Sequence, residues 1–269
     1  MQMNKTKNLK LYFVGAGNIA SALISGLIDS GFPSSDIFAY DKDAAKTKAL
    51  LDQYNINIST DFISVDKGYL FICVKPNDYT NVLLNLKDKI SSQAFILSCM
   101  AGVPLKKIQE DFSNNACLRF MPNVLVENRS GFIAIVSDSE VLVKGFKNIF
   151  SGVGYIQEVS ENKFDAITAV AGSGPAWMYS FMSSLIEAGK DNGLNETESK
   201  MIVLSLLNGV SNKIEQDTDL DKLIQQVASP GGTTEAGLKV LEEEGLKRIV
   251  SSALSKAADR SRELTEENK

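Results

Sequence analysis

Short apolar runs exchange regularly with amphipathic stretches along the first half of the chain. Residues 9–14 read as a strand, and residues 19–28 as a helix that ends at Gly31-Phe32-Pro33. Ile37–Tyr40 and Ala44–Tyr54 repeat the pair, and residues 69–74 form an unbroken apolar run of the kind a parallel sheet buries on both faces. That run stops at Lys75-Pro76, where proline cannot continue a ladder. Further strands are expected at Ala94–Ser98, residues 117–120, Gly131–Val136 and about residues 155–159, with a helix over Glu140–Phe150. Such alternation predicts βαβ units and a mostly parallel sheet.

From Glu161 the apolar period changes from two to 3.6, and no further strand is expected. Met178, Phe181, Met182, Leu185 and Ile186 share one helical face; Val203, Leu206, Leu207, Val210 and Ile214 share another. Leu246, Ile249, Val250, Ala253, Leu254 and Ala257 share a third. The change places a domain boundary near Ser160. These wide apolar stripes come with few aromatics to fill a monomeric core, so they are covered either by each other or by a second copy of the chain.

Composition narrows the chemistry. The 269 residues include 28 Lys+Arg against 33 Asp+Glu and no histidine, which removes imidazole catalysis, histidine-dependent nucleophile systems and the common zinc hydrolase sites. No metal site is expected. With a net charge of −5 and no basic run longer than Lys106-Lys107, the chain offers nothing to a nucleic-acid backbone. Cys73, Cys99 and Cys117 are widely spaced within apolar runs and read as reduced, buried thiols of a cytoplasmic protein. The first ten residues lack the apolar core of a secretory signal. Residues 166–186 carry no formal charge but are interrupted by Gly172-Ser173-Gly174-Pro175, which reads as a buried turn leading into a core helix, not a membrane span.

Gly15-Ala16-Gly17-Asn18-Ile19-Ala20 follows a strand and opens a helix. The first glycine permits the tight turn, the second lets backbone amides approach a pyrophosphate, and Ala20 lets the helix pack closely on the sheet. A glycine turn alone would be weak evidence, but Asp41 ends the second strand 21 positions after Ala20, at the expected ribose-binding place. Asp41 suits the free 2′-hydroxyl of NAD, whereas Lys42 and the alanine at the third position leave NADP open. Val74, Lys75 and Pro76 stand at the carboxyl end of a buried strand, the rim where open α/β sheets bind ligands; Met121-Pro122-Asn123 ends another strand in the same way. Ser229-Pro230-Gly231-Gly232-Thr233-Thr234-Glu235 has the makings of an anion-binding nest with nearby hydroxyls, and by its residues alone reads first as a plain helix–turn–helix connector with a threonine cap. The Gly172-Ser173-Gly174-Pro175-Ala176 turn reads first as structural, allowing close helix packing.

Taken in order, GAGNIA at 15–20, Val74-Lys75-Pro76, Arg119-Phe120-Met121-Pro122-Asn123, Gly172 to Ala176 and Ser229 to Thr234 resemble pyrroline-5-carboxylate reductases over about residues 9–264. The resemblance implies an α/β fold: a Rossmann-type, mostly parallel sheet over residues 1–160, followed by an all-α substrate-binding and dimerisation domain over 161–269. It implies reduction of 1-pyrroline-5-carboxylate to L-proline by hydride transfer from a reduced nicotinamide cofactor, the cofactor being NADP or NAD. It also implies a homodimer, or a decamer built from dimers, whose active site forms where one subunit's cofactor meets its partner's helical domain.

By the same resemblance Thr234 is the catalytic residue, hydrogen-bonding the ring nitrogen, while Ser229 and the amides of Gly231, Gly232 and Thr233 hold the substrate carboxylate. Gly15, Ala16, Gly17, Asn18, Ile19, Ala20, Asp41, Lys42, Val74, Lys75, Pro76, Ala101 and Asn123 form the cofactor set. Two other plans fit the first half: a β-hydroxyacid-type dehydrogenase, for which the helical half offers no Gly-x-x-x-Lys acid/base pattern, and a non-catalytic nucleotide-binding protein.

Overall fold

The computed structural model describes residues 9–267. Eight strands form one sheet: β1 (Leu11–Val14), β2 (Ile37–Tyr40), β3 (Asn57–Ile58), β4 (Gly68–Ile72), β5 (Ala94–Ser98), β6 (Cys117–Pro122), β7 (Gly131–Val136) and β8 (Gly154–Glu158). Their order is β3-β2-β1-β4-β5-β6-β7-β8, and every pairing is parallel except β6 with β7. The helices of this half are α1 (Asn18–Asp29), α2 (Ala44–Tyr54), α3 (Pro76–Leu86), α4 (Leu105–Asp111) and α5 (Glu140–Phe150). The expected αβ architecture and mostly parallel sheet are therefore present. Three local differences stand out. β4 already stops at Ile72, and Pro76, four residues on, supplies the first residue of α3, where its fixed φ and missing N–H cost nothing. β6 continues through Met121 to Pro122, because its neighbour there is the antiparallel β7. β3 is only two residues long and carries no periodic signal.

Alternate residues of the central strands feed two apolar layers. Phe13 and Phe71 stack at 4.6 Å between ring centres and meet Phe120, Phe146 and Phe150 beneath α1 and α5. On the opposite face Tyr12, Leu70, Ile72 and Ile96 pack against Val82 and Leu86 of α3 and Ile108 of α4. Each fully buried side chain of this kind stabilises by about 1.5–3 kcal/mol. The layers make the strand ends a rigid platform.

The helical half contains α6 (Phe164–Ile167), a π-helical turn over Thr168–Gly172, then α7 (Gly174–Asp191), α8 (Glu196–Lys213), α9 (Leu220–Val227), α10 (Thr233–Glu243) and α11 (Leu246–Glu267). Asn195 and Glu198 form a reciprocal capping box that starts α8. Contacts group the chain into two compact units: one runs to Pro175 and includes residues from Ala257 onward, the other is Ala176–Lys256. Packing explains the first unit's extent. Phe164 and Ala169 are buried beside β6 and β7, Ser261 donates to Asp165 at 2.7 Å, and Gly102 lies against the backbone of Leu264.

The expectation of a core helix after Gly172 is corrected. Of α7 only Pro175 is buried, and Met178 and Phe181 are about half exposed, at 50% and 45%. Nor do the glycines serve close packing within one chain: a Cβ on Gly174 would meet nothing within 4 Å, and one on Gly172 only a Thr168 methyl at 3.8 Å. Among the described residues no helix is long and apolar enough to cross a membrane.

Candidate functional site: a glycine-turn cleft and a capped Pro-Gly-Gly turn

The strand order reverses between β1 and β4, and a crevice opens there at the carboxyl ends, as in doubly wound sheets generally. The chain leaves β1 through Gly15, whose φ is +99° and whose Cβ, if it had one, would lie 2.5 Å from the carbonyl oxygen of Cys73. Only glycine passes there. Its amide donates to the Tyr40 carbonyl at 2.8 Å, tying the turn to β2. Gly17, by contrast, has nothing within 4 Å of a notional Cβ, so the turn is open on the side a ligand would approach.

The first bond inside α1 runs from Ser21 N–H to the Gly17 carbonyl, which leaves the amides of Asn18, Ile19 and Ala20 without partners in the helix. Together with the helix dipole they favour an anion. Ala20 is fully buried, in keeping with its expected packing role.

Asp41 closes the turn from the β2 side. Its Oδ2 accepts from the Ala16 amide at 2.7 Å and its Oδ1 from the Asp43 amide at 2.8 Å. Lys42 donates to Asp78 Oδ1, on the first turn of α3, at 2.5 Å. The hydrogen bond and charge of Asp78, with the charge of Asp41, hold Lys42 above the usual lysine range.

A cleft of about 260 Å³ is lined by Gly15, Gly17, Asp41, Lys42, Val74 and Lys75 of the expected cofactor set. Ala16, Asn18, Ile19 and Ala20 complete the turn and helix start beside it, and Pro76 opens α3. The cleft also draws on Val14, Tyr40, Lys46, Phe62, Cys73, Asp78, Asn81 and Val82, none of which the sequence placed in the cofactor set. For Asp78, Asn81 and Val82 the spacing i, i+3, i+4 on α3 was an available signal; Phe62, in a loop, had none.

The Cys73 thiol is held well above its ordinary range, first by its hydrogen bond with Cys99 on the neighbouring strand end and then by burial. Ala101 and Asn123 are not brought into this cleft. Asn123 is buried and bridges to β7, its Oδ1 accepting from the Phe132 amide at 3.2 Å. Ala101 packs beside Met121, Ala134 and Phe164.

In the other unit Ser229–Gly232 turns between α9 and α10. Gly231 adopts φ +70°, a conformation that favours glycine, and Ser229 Oγ lies 2.5 Å from where a Gly232 Cβ would stand. The amides of Gly231 and Gly232 are already engaged: the first donates to Glu235 Oε2 at 2.7 Å, the second to the Ser229 carbonyl at 3.0 Å. The first bond within α10 is from Ala236 to Gly232, so the amides of Thr233, Thr234 and Glu235 have no partner in the helix. Thr234 stands at the second helical position, half-buried. A shallow depression lined by Gly231, Gly232 and Glu235 adjoins it. Among the described residues no cluster of metal-ligating side chains is found.

Comparison with known proteins matches both halves. Residues 161–264 match the family model for pyrroline-5-carboxylate reductase dimerisation, and residues 10–102 match that for NADP oxidoreductases, coenzyme F420-dependent. The pyrroline-5-carboxylate reductase of Staphylococcus aureus strain COL is 31% identical over 266 residues, covering 96% of this chain and 98% of that protein. A crystal structure of Plasmodium falciparum pyrroline carboxylate reductase with NADP bound is 29% identical with a TM-score of 0.88, covering 97% of this chain and 100% of that one. The Streptococcus pyogenes 1-pyrroline-5-carboxylate reductase structure is 28% identical with a TM-score of 0.82, covering 95% and 98%. A likeness that spans the glycine turn, the sheet and the helical half at this level is a likeness of whole chains, and this chain belongs to the pyrroline-5-carboxylate reductase family.

Proposed function

We propose that this protein reduces 1-pyrroline-5-carboxylate to L-proline, the closing step of proline synthesis, with NADH or NADPH as reductant. The observation that carries the reading is the end-to-end likeness to reductases of that name, 96% of the chain, with a turn at Gly15–Ala20 that fits a dinucleotide. The fit rests on this structure: Gly15 leaves no room for a side chain, Gly17 leaves the approach open, and three amides at the start of α1 lack helical partners. Gly15 to Ala20, Val74, Lys75, Pro76 and either Asp41 or Lys42 would hold the dinucleotide, with Ala101 and Asn123 supporting strand ends nearby. When bound, the reduced nicotinamide supplies a hydride to the C=N carbon.

The protein's own part is to bind and orient an anionic imine. Ser229 and the amides of Gly231, Gly232 and Thr233 would receive the substrate carboxylate, which has to displace Glu235 from the Gly231 amide and compete with the Ser229 carbonyl for that of Gly232. Thr234 would accept a hydrogen bond from the protonated ring nitrogen and fix its orientation. No imidazole is present to deliver a proton, so the proton arrives on the substrate or from water. Residues 1–160 would thus serve the cofactor, and residues 161–269 the substrate and a partner copy. The half-exposed apolar faces of α7, α8 and α11 support a homodimer, as does the match to a dimerisation family model. An acidic chain with free cysteines suits the cytoplasm.

Purified protein incubated with racemic 1-pyrroline-5-carboxylate and NADH or NADPH is expected to oxidise the nicotinamide with stoichiometric appearance of proline. Absence of proline with both reductants, from protein that binds nucleotide, would overturn the reading.

A further inference from the structure

Asp41 and Lys42 argue for opposite dinucleotides, and the structure shows what each is tied to. Both Asp41 oxygens accept backbone N–H bonds, from Ala16 at 2.7 Å and Asp43 at 2.8 Å, so its carboxylate cannot swing away without stranding the amide that shapes the glycine turn. Lys42 is not free: its ammonium is held at 2.5 Å by Asp78 from across the cleft. Asp78 belongs to α3, which Pro76 opens four residues after β4 ends at Ile72, so the acceptor is placed by the sheet and not by Lys42 itself.

We propose that Asp78 is a cofactor-selecting residue: it holds Lys42 away from the 2′ side of an adenosine ribose bound in the cleft. Asp41 then meets that position as an immobile negative charge, and the site takes a dinucleotide with a free 2′-hydroxyl in preference to a 2′-phosphate. The argument rests on the dinucleotide reading above and makes the choice between NADH and NADPH that it leaves open. Lys42 remains exposed, with 70% of its side-chain surface accessible, so the pair itself adds little stability. Its effect is positional, through competition for the one ammonium that neighbours Asp41 in sequence. Lys46 and Lys75 also line the cleft and form no ion pair among the described residues, but they are common to every variant compared and cancel.

The test is direct binding, by titration calorimetry on the full chain, of 5′-AMP and of adenosine 2′,5′-bisphosphate, repeated with NADH and NADPH. The wild-type protein is expected to bind 5′-AMP about tenfold tighter than the bisphosphate. Asp78→Asn should move that ratio about fivefold toward the bisphosphate, and in a Lys42→Met background the same substitution should leave it within about twofold. A ratio unmoved by Asp78→Asn, or moved equally with and without Lys42, would overturn the proposal while leaving the dinucleotide site standing. Failure to bind either nucleotide would overturn both. Asp78→Glu, which keeps the charge on a longer arm, is expected to keep the wild-type ratio, and loss of the ratio in that variant too would count against the latch.

Discussion

Gly15 and Gly17 stand two residues apart, yet their substitutions should fail in different ways. Gly15→Ala forces a side chain into positive φ and against the Cys73 carbonyl, and should cost more than about 2 kcal/mol in urea unfolding. Gly17 has ordinary backbone angles and open space, so Gly17→Ala should change stability by less than about 1 kcal/mol. It should nonetheless weaken NADH binding at least about tenfold, because its methyl stands where a pyrophosphate approaches. Unchanged binding by Gly17→Ala would remove the turn from the cofactor site.

Thr234→Ala should lower kcat about 10–100-fold, the range of one hydrogen bond to a charged group, with an unaltered unfolding curve. Unchanged kinetics would take Thr234 out of the mechanism. Among the thiols, burial pushes Cys117 up to about 12, and its neighbour Cys99 together with burial raises Cys73. A raised thiol pKa keeps the unreactive protonated form through neutral pH. Both should therefore react slowly with a thiol reagent at about pH 8 until the protein is unfolded, when all three cysteines titrate.

At the scale of elements, the contact that joins β6 to the first helical turns is an ion pair. Arg119, almost fully buried, binds Glu161 and stacks over the Phe164 ring at 4.4 Å, while Glu161 also accepts from the Leu105 amide that opens α4. One carboxylate thus pins the start of the helical half to a strand end and to α4. Removing it would leave a guanidinium in the interior without a counter-charge, so Glu161→Ala should destabilise by about 3 kcal/mol. Arg119→Met should cost less, because methionine fills the space with an apolar chain and Glu161, partly exposed, keeps the Leu105 amide as a donor. The reverse order in urea unfolding would refute the account. The same contact explains why the compact unit extends past Ser160: a periodicity of 3.6 announces helix, but not which surface the helix packs on.

For the molecule as a whole, the apolar stripes predicted along α8 and α11 do form faces, but in one chain those faces stay open. On the predicted stripes Leu206, Val210 and Ile249 are 51%, 48% and 56% exposed while Val203 is buried, and Met201, off the α8 stripe, is 62% exposed. Light scattering should give twice the 29.3 kDa chain mass or a higher multiple, and Met201→Glu with Ile249→Glu should drive the chain toward monomer. A wild-type monomer at micromolar concentration would overturn the dimer.

Local chemistry alone was enough to read the alternating half, the glycine turn after β1, the acidic residue at the end of β2 and the Pro-Gly-Gly connector, since each depends on neighbours in sequence. Residue identity also excluded imidazole mechanisms, for want of a single histidine. What sequence left open depended on groups far apart in the chain. The antiparallel turn at β7 and the bond from the Ala16 amide to Asp41 were decided by strand order. Asp78 looks like any surface carboxylate until β4, lying beside β1, carries α3 across from Lys42. Side-chain periodicity records which face of an element is apolar, and only tertiary packing decides what that face, or a charge beside it, is brought against.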